Sequence, residues 1–418
     1  MISNIFKPYP KYIPTEVEWL GEIPENWKVT RVVELMKLGR GRVISQEDIR
    51  NNEGEFSVYS SQTENEGILG YIETYDFEGE YITWTTDGAN TGTVFSRSGK
   101  FNCTNVCGTM TQKYNSYKEI TYLPFLAKFL NIASKRYVRY DLNPKLMNNE
   151  MSRIELLLPP LPEQQAIVAF LDREVKRIDS IIAKQTQLIV LLKEKRSALI
   201  TQAVTKGLNP SVNMKPSGID WVGEIPENWT VTKVVELMKL GRGRVISQED
   251  IRNNEGEYPV YSSQTENEGI LGCIDTYDFD GNYITWTTDG ANTGTVFSRS
   301  GKFNCTNVCG TMTQKYSSYK KITYLPFLSQ FLNIASKRYV RYDINPKLMN
   351  NEMSRIELLL PPLPEQKAIV AFLDEETRKI NLLLAKIEKQ IELLNEYKQS
   401  LITHAVTGKI DARGEENA

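Results

Sequence analysis

The chain of 418 residues carries one histidine, His404. Acid–base and nucleophilic catalysis draw on histidine more than on any other side chain, so one copy leaves little room for such chemistry. Cysteine is scarce as well: Cys103 and Cys107, Cys305 and Cys309, and Cys273. Each CxxxC pair lacks a third or fourth Cys or His nearby, whereas zinc takes four ligands. Reduced structural thiols are therefore expected, with no metal site. No apolar run approaches the roughly 20 residues that cross a bilayer. The start, Met1-Ile-Ser-Asn-Ile-Phe-Lys-Pro, lacks a signal-peptide core, so a cytoplasmic location without membrane contact is expected. Net charge is −2, from 50 basic and 52 acidic residues. Bulk charge thus does not announce nucleic acid, and any such reading must rest on local patches. No Gly-x-x-x-x-Gly-Lys-[Ser/Thr] loop, no Gly-x-Gly-x-x-Gly after a strand and no Asn-Pro-Pro-aromatic run appears. No cofactor and no catalytic residue are expected.

What the chain does have is itself, twice. Residues 17–204 recur at 219–406, displaced by 202 positions. Tyr81–Tyr114 returns unchanged as Tyr283–Tyr316, Val32–Glu55 as Val234–Glu257, and Asn143–Gln164 as Asn345–Gln366. A chain with two copies of one complex unit meets a ligand that presents something twice.

Each copy changes periodicity partway. The first part, to about Pro160, is rich in Gly, Thr, Tyr, Ser and Asn. It holds short β-leaning runs (Tyr81-Ile-Thr-Trp-Thr, Gly92-Thr-Val-Phe-Ser) separated by turn signals at Glu53-Gly54, Asp87-Gly88 and Ser98-Gly99. Tyr122–Ala133 reads as a helix that tolerates Pro124 in its first turn. A mixed α+β globule follows from this. The second part opens on Leu156-Leu-Leu-Pro-Pro-Leu-Pro-Glu-Gln, where Pro162 suits a helix start and Glu163 the positive end of its dipole. Val175, Ile178, Ile182, Ile189, Leu192 and Leu199 then keep a 3/4 spacing, with Gln185 and Arg196 in the gaps. In the second copy Ile380, Leu384, Ile387, Ile391, Leu394 and Leu401 do the same, with Lys398 in a gap. Each helix is expected to run about 40 residues, and an a/d seam of this kind wants a partner; each helix's partner is the other. The helical parts have diverged (Gln185 against Ile387) while the globules have not. Packed helices need complementary partners, and two readers of one thing need to be the same.

The expected fold is α+β: two near-identical mixed globules joined by two long antiparallel coiled-coil-like helices, with an internal pseudo-two-fold. The divisions are 1–160, a helix over 161–206, a linker over 207–218, a second globule over 219–362, a second helix over 363–408 and a tail over 409–418.

Three segments of the globule carry ligand chemistry. Gly39-Arg-Gly-Arg-Val reads as a flexible turn presenting Arg40 and Arg42, which can grip guanine or phosphate bidentately; an exposed loop with two salt bridges fits equally. Lys135, Arg136 and Arg139, interleaved with Tyr137 and Tyr140 and followed by Lys145 and Arg153, suit a phosphate-tracking surface or a solvated helix end. Ser61, Gln62, Thr85, Thr86 and Asn90 sit in polar runs that suit base edges or ordinary turns. The second copy repeats them as Arg242, Arg244, Ser263, Gln264, Thr287, Thr288, Asn292, Lys337, Arg338, Arg341 and Lys347.

Gly21-Glu-Ile-Pro-Glu-Asn-Trp, again at Gly223–Trp229, and Leu158-Pro-Pro-Leu-Pro-Glu-Gln-Gln-Ala-Ile-Val, together with the order globule, helix, globule, helix, resemble the specificity subunit of type I restriction–modification systems. The resemblance spans nearly the whole chain. It implies that the globules are target-recognition domains, each binding half of a split site in double-stranded DNA. The helices would fix the distance between half-sites and dock two methyltransferase subunits, with restriction–translocase subunits joining them. The chain would then direct DNA methylation without catalysing it. The family usually carries two different recognition domains. Here the Arg40/Arg42, Thr85–Gly92 and Lys135–Arg139 segments are the same in both copies, which points to an interrupted palindrome. A stand-alone regulatory protein that binds an inverted repeat is the other reading the residues leave open.

Overall fold

A computed structural model describes residues 6–140, 142–342 and 344–413. The chain forms two compact units, 1–185 with 388–418, and 186–387.

The first unit begins with a small hairpin, β1 (Tyr12–Pro14) against β2 (Glu22–Pro24). Strand β3 (Lys28–Arg31), the single turn α1 (Val32–Leu35) and β4 (Met36–Arg40) follow. Helix α2 (Gln46–Asn51) starts on a capping box in which Ser45 and Asp48 each satisfy the other's backbone N–H. Then come β5 (Glu53–Tyr59), β6 (Ile68–Ile72), β7 (Phe77–Glu78), β8 (Tyr81–Thr85), β9 (Val94–Arg97), β10 (Lys100–Cys103) and β11 (Cys107–Gln112). They build two four-stranded sheets, ordered β6-β5-β10-β7 and β4-β11-β8-β9. All pairings are antiparallel except β5 with β10. Glu53-Gly54, expected as a turn, lies inside β5, where a bulge between Glu53 and Phe56 absorbs the irregularity.

Helix α3 (Leu123–Ala133), with Pro124 in its first turn, covers β8 and β9 with a buried face that includes Phe125, Phe129 and Leu130. Hairpin β12 (Arg139–Tyr140) and β13 (Pro144–Lys145), helix α4 (Asn148–Ser152) and β14 (Glu155–Leu158) complete the globule. β14 pairs with β3, so the strand that enters the globule closes against the strand that leaves it. One core runs from Trp84 and Phe129 through Trp27 and Leu157 to Ile167, Leu171 and Ile178, and takes in Leu401, Val406 and Ile410 from the far end of the chain. A separate cluster buries Cys103 and Cys107 with Phe101, as free thiols.

Helix α5 (Leu161–Lys206) and the second long helix (Leu363–Val406) hold 46 and 44 residues. The expected seam residues are less exposed than their neighbours in both. Within the first unit the two helices run antiparallel, shown by Asp179–Lys398 at 2.7 Å and Gln185–Gln390 at 3.1 Å. Within the second, Arg196 donates to Asn381 at 2.7 Å. Asp179 and Asn381 are equivalent positions of the repeat, as are Arg196 and Lys398. One pair is ionic and the other is a cation on an amide, so the drift of the helices preserved complementarity while changing chemistry. Polar pairs inside a seam also hold its register.

The two sequence motifs meet in space. Glu163, in the first turn of α5 and buried, accepts from Trp27 Nε1 at 2.6 Å and from Asn26 Nδ2 at 2.9 Å. Gln164, also buried, accepts from the Tyr122 amide and donates to the Ile120 and Pro159 carbonyls, each at 2.8 Å. The Pro-Glu-Gln run therefore locks the start of the long helix to the globule.

The second unit repeats this architecture, its two four-stranded sheets having the same strand order as those of the first. Its core admits Ala203 and Val204 from the end of α5, as the first core admits Ala405 and Val406. Lys206 Nζ donates to the Val222 and Glu224 carbonyls. Lys409 Nζ donates to those of Leu20, at 3.3 Å, and Glu22, at 2.6 Å. The order is Lys206-Gly207 in one place and Gly408-Lys409 in the other, yet both lysines cap the same pair of carbonyls.

Candidate nucleic-acid interface

In the first unit the sequence-selected residues other than Arg136 gather along one connected edge of the two sheets. Arg40 ends β4 and Arg42 follows, bridged to Thr104. The segment is therefore pinned backbone, against the expectation of a flexible turn. Its glycines are there for close approach: a Cβ on Gly41 would lie 2.2 Å from the Cys103 carbonyl oxygen, and one on Gly39 2.8 Å from Thr109 Oγ1. Arg40 Nε donates to the Asn105 carbonyl at 2.6 Å, and Arg42 pairs with Asp76 at 2.8 Å. Both guanidinium groups thus leave the strand end on fixed stems.

Beside them the 60–67 loop turns back on itself, Ser60 N to Gly67 O at 2.9 Å, with Thr104 Oγ1 3.2 Å from Ser60 Oγ. Gln62 donates to the Ile68 carbonyl. Asn65 and Glu66 adopt φ of 48° and 53°. Two successive non-glycine residues in the left-handed region cost of order 1–3 kcal/mol each, and the surroundings hold them. Arg97 supplies the clamp: Nη2 donates to the Glu66 carbonyl at 2.6 Å, and the guanidinium lies 3.7 Å from the Tyr59 ring centroid and 4.3 Å from that of Phe95. Burial pushes its pKa below the usual arginine value. Sequence reasoning missed Arg97; the only signal was a lone cation closing an apolar strand, Val94-Phe-Ser-Arg97.

The 86–91 loop joins the edge through Asn90 Nδ2 to the Ser61 carbonyl, 3.3 Å, and Thr86 N to the Val106 carbonyl, 3.0 Å. Thr85 and Thr86 are buried. Thr85 Oγ1 donates to the Asn90 carbonyl, which shapes the loop rather than facing outward. Lys135 Nζ donates to the Thr91 carbonyl at 3.0 Å and to Thr93 Oγ1 at 3.2 Å, and partial burial lowers its pKa. It buttresses the loop more than it tracks phosphate. Arg136 lies over the Trp19 ring at 4.6 Å. Tyr137 donates to Glu155, and burial together with that bond pushes its pKa up to about 12.

The β12–β13 hairpin closes the edge. Arg139 pairs with Glu150 at 3.1 Å, and Lys145 bridges the backbone of Asp87. Leu146 N reaches the Thr86 carbonyl at 3.0 Å, and Thr91 Oγ1 the Pro144 carbonyl at 3.0 Å. Asn148 Nδ2 returns to the Gly39 carbonyl at 3.3 Å.

The second unit repeats most of the edge, except that Thr287 Oγ1 and Arg299 Nε lack the bonds that Thr85 Oγ1 and Arg97 Nε make. Arg242 Nε reaches the Asn307 carbonyl at 2.6 Å, and Arg244 pairs with Asp278 at 2.8 Å. Arg299 lies 3.7 Å from the Tyr261 centroid, and Asn292 reaches the Ser263 carbonyl at 3.2 Å. Gln264 donates to the Ile270 carbonyl, Thr287 and Thr288 are buried, and Lys337 reaches the Thr293 carbonyl at 3.2 Å. Arg338 lies over Trp221 at 4.2 Å, Arg341 pairs with Glu352 at 3.1 Å, and Lys347 bridges Asp289. Among the described residues no group of three or more His, Cys, Asp or Glu could hold a metal ion, and no helix is long and apolar enough to cross a membrane.

A duplicated module, each copy a pair of small sheets with a cationic and amide-rich edge on a long helix, defines a recognition protein. Residues 24–190 and 226–393 match the model of the type I restriction modification DNA specificity domain, so the chain belongs to that family. It is similar to the type I restriction enzyme MpnII specificity subunit of Mycoplasma pneumoniae, 44% identical over 162 residues, 38% of this chain and 48% of that protein. The type I restriction enzyme MjaVIII specificity subunit of Methanocaldococcus jannaschii matches almost end to end, 23% identical over 93% of this chain and 94% of that one. A solved structure described as the structural basis of complex assembly and conformational transition of the type I R-M system shares the fold, with a TM-score of 0.70, 14% identity, and 93% of this chain and 99% of that one covered. The chain is a specificity subunit of a type I restriction–modification system.

Proposed function

We propose that each unit reads one half of a bipartite site in double-stranded DNA, and that the two half-sites are the same sequence facing opposite ways around a spacer. The observation that carries this is the sameness of the two edges, down to hydrogen bonds that agree within a few tenths of an ångström in the two units. The antiparallel run of the helices inside the first unit supports the inversion. Arg40, Arg42, Arg136, Arg139 and Lys145, with Ser61, Gln62 and Asn90, are the contacts; Thr85, Thr86 and Lys135 hold the loops that present them. The counterparts Arg242, Arg244, Arg338, Arg341, Lys347, Ser263, Gln264 and Asn292 do the same in the second unit, on Thr287, Thr288 and Lys337.

The chain is non-catalytic in this reading and brings methyltransferase subunits, and restriction subunits with them, to the site. Exposed apolar residues on the long helices (Ile181 and Leu393 in the first unit; Val190, Leu191, Leu382 and Leu383 in the second) support docking there. The test is co-expression with a cognate methyltransferase and genome-wide mapping of modified adenines. An interrupted palindrome is expected. A single asymmetric motif refutes the inverted half-sites, and no modification with no stable complex refutes the assembly.

A further inference from the structure

The least buried large apolar side chains among the described residues crown one short hairpin. Leu142 is 100% exposed and Tyr140 is 74% exposed; in the second unit Ile344 is 97% exposed and Tyr342 74%. A fully exposed aliphatic side chain contributes nothing to folding and costs hydration. The hairpin beneath it is nonetheless firmly held. Arg139 faces Lys145 and Tyr140 faces Pro144 across the ladder, Arg139 is tied to Glu150, and Pro144 accepts from Thr91 Oγ1 at 3.0 Å and from the Gly88 amide at 3.3 Å. A paired stem carrying Arg139 and Lys145, with an exposed aliphatic side chain beyond it, suits contact with a polyanion. The copies also keep the tip aliphatic, Leu142 against Ile344, although a few other exposed positions change charge, as Glu80 against Asn282 and Glu119 against Lys321.

We propose that Leu142 and Ile344 are wedges that enter the DNA base stack, one in each half-site, with Tyr140 and Tyr342 packing beside them and Arg139, Lys145, Arg341 and Lys347 on the flanking phosphates. Insertion of an aliphatic wedge between adjacent base pairs unstacks the step and kinks the duplex by about 20–90°. Deformability of that step then enters specificity without any hydrogen bond to a base edge. This inference rests on the DNA-reading role proposed above.

The test uses the full chain with its methyltransferase subunit, and duplexes enriched from a randomised pool by the unaltered complex. The bend is read as energy transfer between dyes on the duplex ends. Leu142→Ser with Ile344→Ser is expected to keep thermal stability, straighten the bound duplex and weaken binding about 10-fold or more, the scale of losing burial of one large aliphatic side chain. Leu142→Ile with Ile344→Leu is expected to keep bend and affinity. The wedge is overturned by an unbent duplex in the unaltered complex, by a bend that persists in the serine variant, or by loss of the methyltransferase subunit with DNA binding intact, which makes the tip a protein contact. Failure to enrich any duplex strikes the DNA-reading role itself and is distinguishable from these.

Discussion

Replacing Glu163 by alanine tests the claim that the Pro-Glu-Gln run anchors the first long helix rather than merely starting it. The carboxylate is buried and accepts from Trp27 Nε1 at 2.6 Å and Asn26 Nδ2 at 2.9 Å. Hydrogen bonds to a charged group contribute about 1.5–3 kcal/mol each, and the buried indole N–H would be left unpaired. A loss of about 3–5 kcal/mol follows, or roughly 6–20 °C in Tm for a unit of this size. Glu163→Gln keeps one carbonyl acceptor and is expected to lose about half as much. The equivalent Glu365 is more exposed, and its bonds to Trp229 and Asn228 are longer, at 3.0 and 3.3 Å; Glu365→Ala should cost only about 1–2 kcal/mol. Differential scanning calorimetry of each variant supplies the comparison, and a double-mutant cycle of Glu163→Ala with Trp27→Phe isolates the indole bond. Equal losses at Glu163 and Glu365, or a coupling energy near zero in the cycle, refute the reasoning.

Other outcomes follow from the same geometry. Gly41→Ala forces a Cβ to 2.2 Å from a backbone carbonyl oxygen and should abolish DNA binding, whereas Gly39→Ala meets only the Thr109 hydroxyl and should be mild, read by binding and Tm of each. Arg40→Ala and Arg242→Ala should each lower the salt slope of DNA binding by about one and weaken binding alike; unequal losses would mean the two edges are not equivalent readers. The Asp48 carboxyl is held below its ordinary value of 3.8 by bonds from Ser45. A depressed folded pKa stabilises above the unfolded value and is lost as pH falls through the folded one. Asp48→Asn should therefore loosen α2 at neutral pH, seen as faster amide exchange over residues 46–51, with the difference from the parent fading as pH falls below 3.8 and the parent's own carboxyl takes up its proton.

Much of this molecule could be read from its sequence, because its strongest signals are local or repeated. The seam from Val175 to Leu199 needs only a 3.6-residue period, and Pro124 and Pro162 mark helix starts because a missing N–H costs nothing there. Tyr81–Thr85 and Gly92–Ser96 are marked by the β-branched and aromatic residues that strands favour. Gly39 and Gly41 misled because glycine marks a turn and a close backbone approach with the same letter; only the facing strand β11 and the Thr104 carbonyl tell them apart. Thr85 and Thr86 look like contact residues for a similar reason, since burial of a threonine depends on what folds over it.

By itself the sequence determined that one module occurs twice, that each copy ends in a long helix, and to which family the chain belongs, because duplication and periodicity are written residue by residue. Tertiary structure decided which polar residues face outward and which hold others in place. It bound the two motifs through Trp27 and Glu163, set Arg97 to clamp a strained loop, and completed the first core with Leu401, Val406 and Ile410 from the far end of the chain. Contacts between segments hundreds of residues apart leave no local pattern. They are fixed by packing and hydrogen-bond satisfaction, which act only once the chain has closed on itself.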